Sequence, residues 1–338
     1  MGSEGRAGVS RSVFVTGGYG LLGSWLVRAL LEHGDRVVAL QRDRTPRSGL
    51  VLDALEDELD VVHGDLNEAG LIARALGEHE IDTVVHLAAQ TIVGTANRSP
   101  LATFETNVRG TWTLLEACRL HGAQRVLVAS SDKAYGSSPV LPYREEHPLA
   151  ARYPYDVSKA AADLIARSYW HAFGLPVVVT RCANLYGGGD LNRSRLIPEA
   201  VTAALAGRAP QIRSDGSPER DFLYAPDAAE ACLALLDALD DPQRAPAARG
   251  EAFNAGSGTP HAVRDVVARI CALAGCGVAP EIHGAGTPAG EIDRQFVDAA
   301  KLRELTGWVA RTDLDEGLRR TLAWYRAHPQ ALASAPTS

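Results

Sequence analysis

Lysine is nearly absent from this sequence. Of 34 lysines and arginines, only three are lysines, at positions 133, 159 and 301. Arginine serves wherever a positive charge suffices, and it cannot shed its proton near neutral pH, whereas lysine can. Two of the three lysines fall inside motifs described below, which marks them for chemistry rather than for surface charge. Cysteine is also sparse. The five residues (118, 182, 232, 271 and 276) are odd in number and form no CxxC pair. That excludes a disulfide framework and predicts buried free thiols in a reducing, cytoplasmic setting. No apolar run approaches the ~20 residues of a membrane helix. The opening stretch MGSEGRAGVSR lacks the apolar core of a signal peptide. A net charge of −7 provides no basic field for nucleic acid or an anionic membrane. Ten histidines show no ligand spacing, and no metal is expected. What remains is a soluble composition, 46% apolar and 22% charged, long enough at 338 residues for one large or two smaller domains.

The stretch SVFVTGGYGLLGSWLVRALLEHG reads as an apolar strand, a glycine turn and an amphipathic helix stopping at Gly34. Gly17, Gly20 and Gly23 let backbone approach a pyrophosphate closely, and the helix start behind them supplies N–H donors. Leu21 and Leu22 belong to the same turn. Strand before and helix after make this a dinucleotide site rather than a structural turn. Further strands are read at DRVVALQR, LDVVHGD, IDTVVHLAA, RVLVASS and LPVVVTRCA, with helices between most of them, as at 98–121 and 155–173. The fold expected is α/β: a Rossmann-like doubly wound parallel sheet with a smaller C-terminal substrate-binding lobe. Residues 11–180 form the dinucleotide unit, with 221–249 returning to it; 181–220 and 250–328 form the lobe. Asp65 and Leu66 end the third strand near an adenine. Ala88, Ala89 and Gln90 end the fourth beside the cofactor path. Asp43 points to NAD through the ribose hydroxyls, whereas Arg42 or Arg44 would point to NADP.

Tyr155 and Lys159 lie one helical turn apart in YPYDVSK and share a face. A free phenol titrates near ~10, so action as a base near neutrality needs roughly 4 kcal/mol of stabilisation. One cation at ~4 Å and an effective dielectric of ~20 supplies about that much. The competing reading is a helix-start tyrosine beside a surface lysine. Upstream, SSDKAYG ends the fifth strand with Asp132 and Lys133 side by side, either a solvated turn or a proton-transfer pair.

Together these segments resemble the extended short-chain dehydrogenase/reductase family, and within it the nucleotide-sugar enzymes. NVRGT (107–111), RCANLYG (181–187), RDFLYAPD (220–227) and FNAGSG (253–258) match as well. Ser131-Asp132-Lys133 is similar to the Asp-Lys variant of CDP-glucose 4,6-dehydratases. The stretches at 88–107, 187–198 and 290–308 resemble the same subgroup. The resemblance implies a nucleoside diphosphate hexose 4,6-dehydratase carrying NAD, with NADP not excluded. In that chemistry Tyr155 takes the O4 proton, Lys159 holds the ribose and lowers the tyrosine pKa, and Ser131 hydrogen-bonds O4. Lys133 removes the C5 proton and Asp132 protonates the departing C6 hydroxyl. The resemblance also implies Asn107 beside the cofactor. Asn184 would lie near the pyrophosphate, Arg220 would grip a phosphate, and the chain would pair as a homodimer through helices near 98–121 and 153–173. Apart from the resemblance, Arg193 and Arg195 flank RLIP and either face the nucleotide or are exposed charges. The alternatives are a C4 epimerase, which needs only Ser131, Tyr155 and Lys159, and a catalytically silent dinucleotide sensor.

Overall fold

The computed structural model describes residues 10–286 and 292–332. Gly290 and Glu291 of the motif at 290–308, and the leader up to residue 9, lie outside the described residues. The strands in chain order are β1 (Ser12–Thr16), β2 (Arg36–Gln41), β3 (Asp60–His63), β4 (Thr83–His86), β5 (Arg125–Ser131), β6 (Val177–Cys182) and β7 (Asn184–Tyr186). They continue as β8 (Gln211–Ile212), β9 (Glu219–Tyr224), β10 (Ala252–Ala255), β11 (Pro260–Ala262), β12 (Glu281–Ile282) and β13 (Arg294–Gln295).

Seven strands form one sheet in the order β10-β6-β5-β4-β1-β2-β3, every pair parallel. Successive side chains alternate between the faces. Val13 and Val15 enter one buried cluster while Phe14 enters the other. Both faces are covered, which is why these strands read as continuous apolar runs instead of alternating ones. Strand order reverses between β1 and β4, and the crevice outside their carboxyl ends is where such sheets bind ligands.

A third cluster, around Tyr186, Ile197, Val201, Ile270, Leu318 and Tyr325, forms the core of the smaller lobe. The chain partition differs from the expected one in two places. β9 does not join the large sheet but pairs with β7, β11 and β13. The helix that follows, Ala225–Asp240, does return, packing against helix Leu21–His33. The seventh strand is β10, inside the range assigned to the lobe. With four residues and no alternation, β10 carries little pattern of its own; its place is decided by pairing with β6.

Candidate active site

The carboxyl ends of β1, β4, β5 and β6 open into one cavity of about 1100 Å³ that runs on into the smaller lobe. Its dinucleotide end is built around the glycine turn. Gly17 has φ +76°, and a Cβ there would lie 2.6 Å from the Ala88 nitrogen. At Gly23 a Cβ would lie 2.1 Å from the Gly17 carbonyl oxygen. The helix behind, Leu21–His33, starts at Gly20 with no side-chain cap and no acid in its first turn. Its leading N–H groups are therefore left for an anion. Leu21, Leu22, Asp43, Asp65, Leu66, Ala88 and Ala89 line the same end. Asp43 is ion-paired with Arg42 at 2.7 Å. Glycines that admit no side chain, an uncapped helix start and an acid at the end of β2 fit a pyrophosphate and an adenosine ribose.

Gln90 and Asn107 do not line the cavity, contrary to expectation. The Asn107 side chain accepts from the Gln90 backbone N–H (2.7 Å) and donates to the Gln90 carbonyl (3.1 Å) and to Ser158 Oγ (2.8 Å). It ties the end of β4 to the helix that carries the tyrosine and lysine. Asn107 lies in a π-helical turn, Glu105–Arg109, whose extra residue re-aims the side chains and leaves no trace in apolar periodicity. Behind it, buried His86 bridges Thr16 Oγ1 (2.7 Å) and Thr111 Oγ1 (2.9 Å). Burial, with Lys159 nearby, pushes His86 down to about 3, so it is neutral.

Helix Pro154–Phe173 begins with proline at its first position, where the missing N–H costs nothing, and brings Tyr155 and Lys159 to the wall. The Lys159 ammonium donates to the Ala129 carbonyl at 2.7 Å, and burial lowers its pKa to about 8. Tyr155 is pushed up to about 12 by burial, against the pull of Arg195 and of the Ser131 hydroxyl beside it. Arg195 thus joins Lys159 on the wall beside this phenol. Arg195 itself is held by Asp190 (3.2 Å) and Thr91 Oγ1 (3.1 Å).

After β5 the chain turns through a short 3-10 helix, Asp132–Tyr135, capped by Ser131, whose Oγ accepts from the Lys133 N–H. The turn sends its first two side chains opposite ways. Lys133 lines the cavity with Ser131. Asp132 lies behind the wall, 1% exposed, with Oδ1 accepting from the Ser131 hydroxyl at 3.2 Å. Burial raises Asp132 to about 7 although Lys133 holds it down. Asp132 is thus absent from the cavity lining, and its Oδ2 is buried with no hydrogen-bond partner among the described residues. The carboxyl that does line this end is Asp156, which the motif reading passed over although it stands inside YDVSK. Further into the lobe, Asn184, Arg195 and Arg220 are on the wall as expected, with Arg213 and Asp190 beside them. Arg220 donates to the main-chain oxygens of Glu219 (2.9 Å) and Asp293 (3.0 Å). Asp221 is occupied elsewhere, by Ser257 and Gly258.

The comparisons with known proteins agree with this geometry. Residues 14–321 match the sequence model of the family described as GDP-mannose 4,6 dehydratase. A dTDP-glucose 4,6-dehydratase of Xanthomonas campestris pv. campestris is 33% identical over 331 residues, covering 92% of each chain. The structure of DesIV, a dTDP-glucose 4,6-dehydratase from Streptomyces venezuelae with NAD and TYD bound, aligns with a TM-score of 0.84 at 31% identity, over 94% of this chain and 98% of that one. A UDP-glucose 4-epimerase of Thermotoga maritima aligns with a TM-score of 0.85 at 25% identity, over 94% and 99%. Fold likeness alone does not separate the two reactions. On its sequence match and its architecture, the chain belongs to the GDP-mannose 4,6 dehydratase family, within the extended short-chain dehydrogenase/reductase fold.

Proposed function

We propose that this protein is an NAD-dependent nucleoside diphosphate hexose 4,6-dehydratase. The observation that carries the reading is Lys133 on the same cavity wall as Ser131, Tyr155 and Lys159. An epimerase needs nothing at that position. NAD, when bound, would supply reversible hydride acceptance, which C4 oxidation and C6 reduction require. Tyr155 receives the O4 proton, Ser131 orients O4, and Lys159 holds the nicotinamide ribose from its anchor on Ala129. Oxidation at C4 acidifies the C5 proton, and Lys133 removes it. Asp43 serves the adenosine ribose, with Arg42 already engaged by it; this supports NAD over NADP. Arg220 and Asn184 serve the diphosphate. Asn184 Nδ2 is buried in the wall with no hydrogen-bond partner among the described residues, a donor that suits a phosphate oxygen.

The Ser131-Asp132-Lys133 signature supports CDP-glucose as donor, whereas the dehydratases named above carry dTDP-glucose in their names. Mass spectrometry after incubation with CDP-, dTDP-, UDP- and GDP-hexoses separates these. One donor is expected to lose one water and to gain one solvent deuterium at C5, without net cofactor consumption. A product that keeps its C6 oxygen marks the epimerase, which the Thermotoga likeness favours as second reading. NAD binding with no turnover of any donor marks the sensor.

We also propose a homodimer. The apolar side chains of Leu101, Trp112, Leu120, Leu164 and Phe173 are exposed on the helices spanning 100–121 and 154–173. A second copy would cover them. Light scattering is expected to give twice the 35.9 kDa chain mass. Replacing Leu164 with Glu is expected to shift it to one.

A further inference from the structure

At the dinucleotide end of the cavity two segments meet, one from each half of the chain. Beyond β2 the chain passes Asp43 and Thr45 on the wall and enters the short helix Gly49–Leu52, ending at Asp53. Beyond β7, Gly189, Asp190, Leu191 and Asn192 reach the same wall. Gly49 is where they meet. A Cβ on it would lie 3.0 Å from Ser24 Cβ, in the first turn of helix Leu21–His33, and 3.9 Å from Gly189 Cα. The Asp53 carboxylate, 14% exposed, fastens this junction. One oxygen takes Arg28 of helix Leu21–His33 at 2.7 Å. The other accepts from Trp324 Nε1 and lies beside His328 Nε2, both at 3.2 Å, at the end of helix Leu314–Ala327. Trp324 in turn packs on Gly188, where a Cβ would lie 2.2 Å from the ring. Trp25 Nε1 donates to the Gly188 carbonyl at 2.9 Å, and the Tyr325 hydroxyl donates to the Asp190 carbonyl. An exposed ion pair would hold little. A carboxylate shared by donors from two distant segments fixes their separation, and here that separation sets how far the cavity opens.

We infer that Asp53 is a latch that keeps the dinucleotide in place from the first hydride transfer to the second, an inference that rests on the dehydratase reading. Asp53 does not line the cavity. It acts by holding the segment at 43–53 against the loop at 188–192, and so is a positioning residue. The reaction leaves no net oxidation only if the hydride taken from C4 reaches C6 from the same bound cofactor. Between the two transfers the cavity holds a reduced cofactor and a 4-keto hexose. Loss of the reduced cofactor at that stage strands the hexose at the oxidised level and empties the protein. Parting Gly49 from Gly189 opens the dinucleotide end without disturbing the large sheet, because Asp53, Arg28, Trp324 and His328 all lie outside the strands. A cavity that takes a new nucleotide sugar every turnover but keeps its dinucleotide needs such a closure at one end only.

The test loads the protein with NAD radiolabelled in the nicotinamide ring and follows loss of bound label after a chase of unlabelled NAD. In Asp53→Ala the label is expected to leave about tenfold faster or more, the size of a lost hydrogen bond to a charged group. Trp324→Phe keeps the ring on Gly188 and withdraws one N–H. A rise of about threefold is expected there, and this variant carries the test where Asp53→Ala does not fold. Turnover is then followed with whichever of CDP-, dTDP-, UDP- or GDP-glucose the wild type dehydrates. Asp53→Ala should release reduced cofactor, seen by its near-ultraviolet absorbance, and an equal amount of 4-keto hexose without the 6-methyl group. The wild type should release neither. A merely loosened fold would slow turnover without diverting it. Loss of label within about twofold of wild type in every variant that folds overturns the latch, because a lost bond of this kind costs more. Fast loss of label with no free reduced cofactor during turnover overturns its role between the hydride transfers. A wild type that forms no 6-deoxy product removes the dehydratase reading and that role with it; the chase needs no sugar and is read separately.

Discussion

Replacing Lys133 with methionine is expected to cut formation of the 6-deoxy product by roughly 10²- to 10⁴-fold, the range a positioned general base contributes. Methionine keeps the length and apolar body of the side chain and loses only the amine. NAD affinity should be unchanged, because no contact with the cofactor is assigned to Lys133. C4 oxidation should persist, since it is assigned to Tyr155 and Lys159. Solvent deuterium at C5 should disappear. Arginine at 133 should fare no better, as it keeps the charge but cannot act as a base at neutral pH. Undiminished 6-deoxy product in Lys133→Met would remove Lys133 as the base of the elimination.

The second large effect concerns the fold beneath the site. Arg181 on β6 is 1% exposed and forms two bonds, of 2.8 and 3.0 Å, to Asp163, which is fully buried on helix Pro154–Phe173. Its other edge donates to the Tyr135 hydroxyl at 2.9 Å and to the Glu145 carbonyl at 3.2 Å. Removing one partner of such a pair leaves a buried charge uncompensated, at a cost of about 3–5 kcal/mol. Arg181→Met should therefore lower the urea midpoint markedly. Asp163→Leu combined with it should recover much of the loss, because a buried pair replaced by apolar groups is often neutral. Activity should not recover in the double variant. Tyr135 closes the turn that aims Lys133, and its hydroxyl, also bonded to Asn254 at 2.7 Å, would lose its guanidinium donor. A double variant that regains both stability and turnover would show the network to be scaffold only.

Much of the molecule was legible in advance. The five strands read after the first correspond to β2 through β6; four of them are buried on both faces and so apolar nearly throughout, while β3 is a partly exposed edge strand. The glycine turn was legible because each of its three glycines answers a local steric demand. Tyr155 and Lys159 were legible because helical spacing alone puts them on one face. Asn107 was misread because its role depends on where two other segments arrive, Gln90 from β4 and Ser158 from the helix. Asp132 sits behind the wall because adjacent residues in a tight turn diverge, and no periodicity says which one looks inward.

Local chemistry determined the individual strands, the glycine turn with its helix start and the tyrosine–lysine spacing, since each is read from residues within a few turns of one another. Packing over long separations decided the rest. It put β10 rather than β9 at the edge of the large sheet, brought Arg195 onto the same wall as Tyr155, and left Asp156 rather than Asp132 lining the cavity beside Lys133. A carboxylate behaves according to the dielectric and the charges around it, and those are set by segments that meet only when the chain has folded.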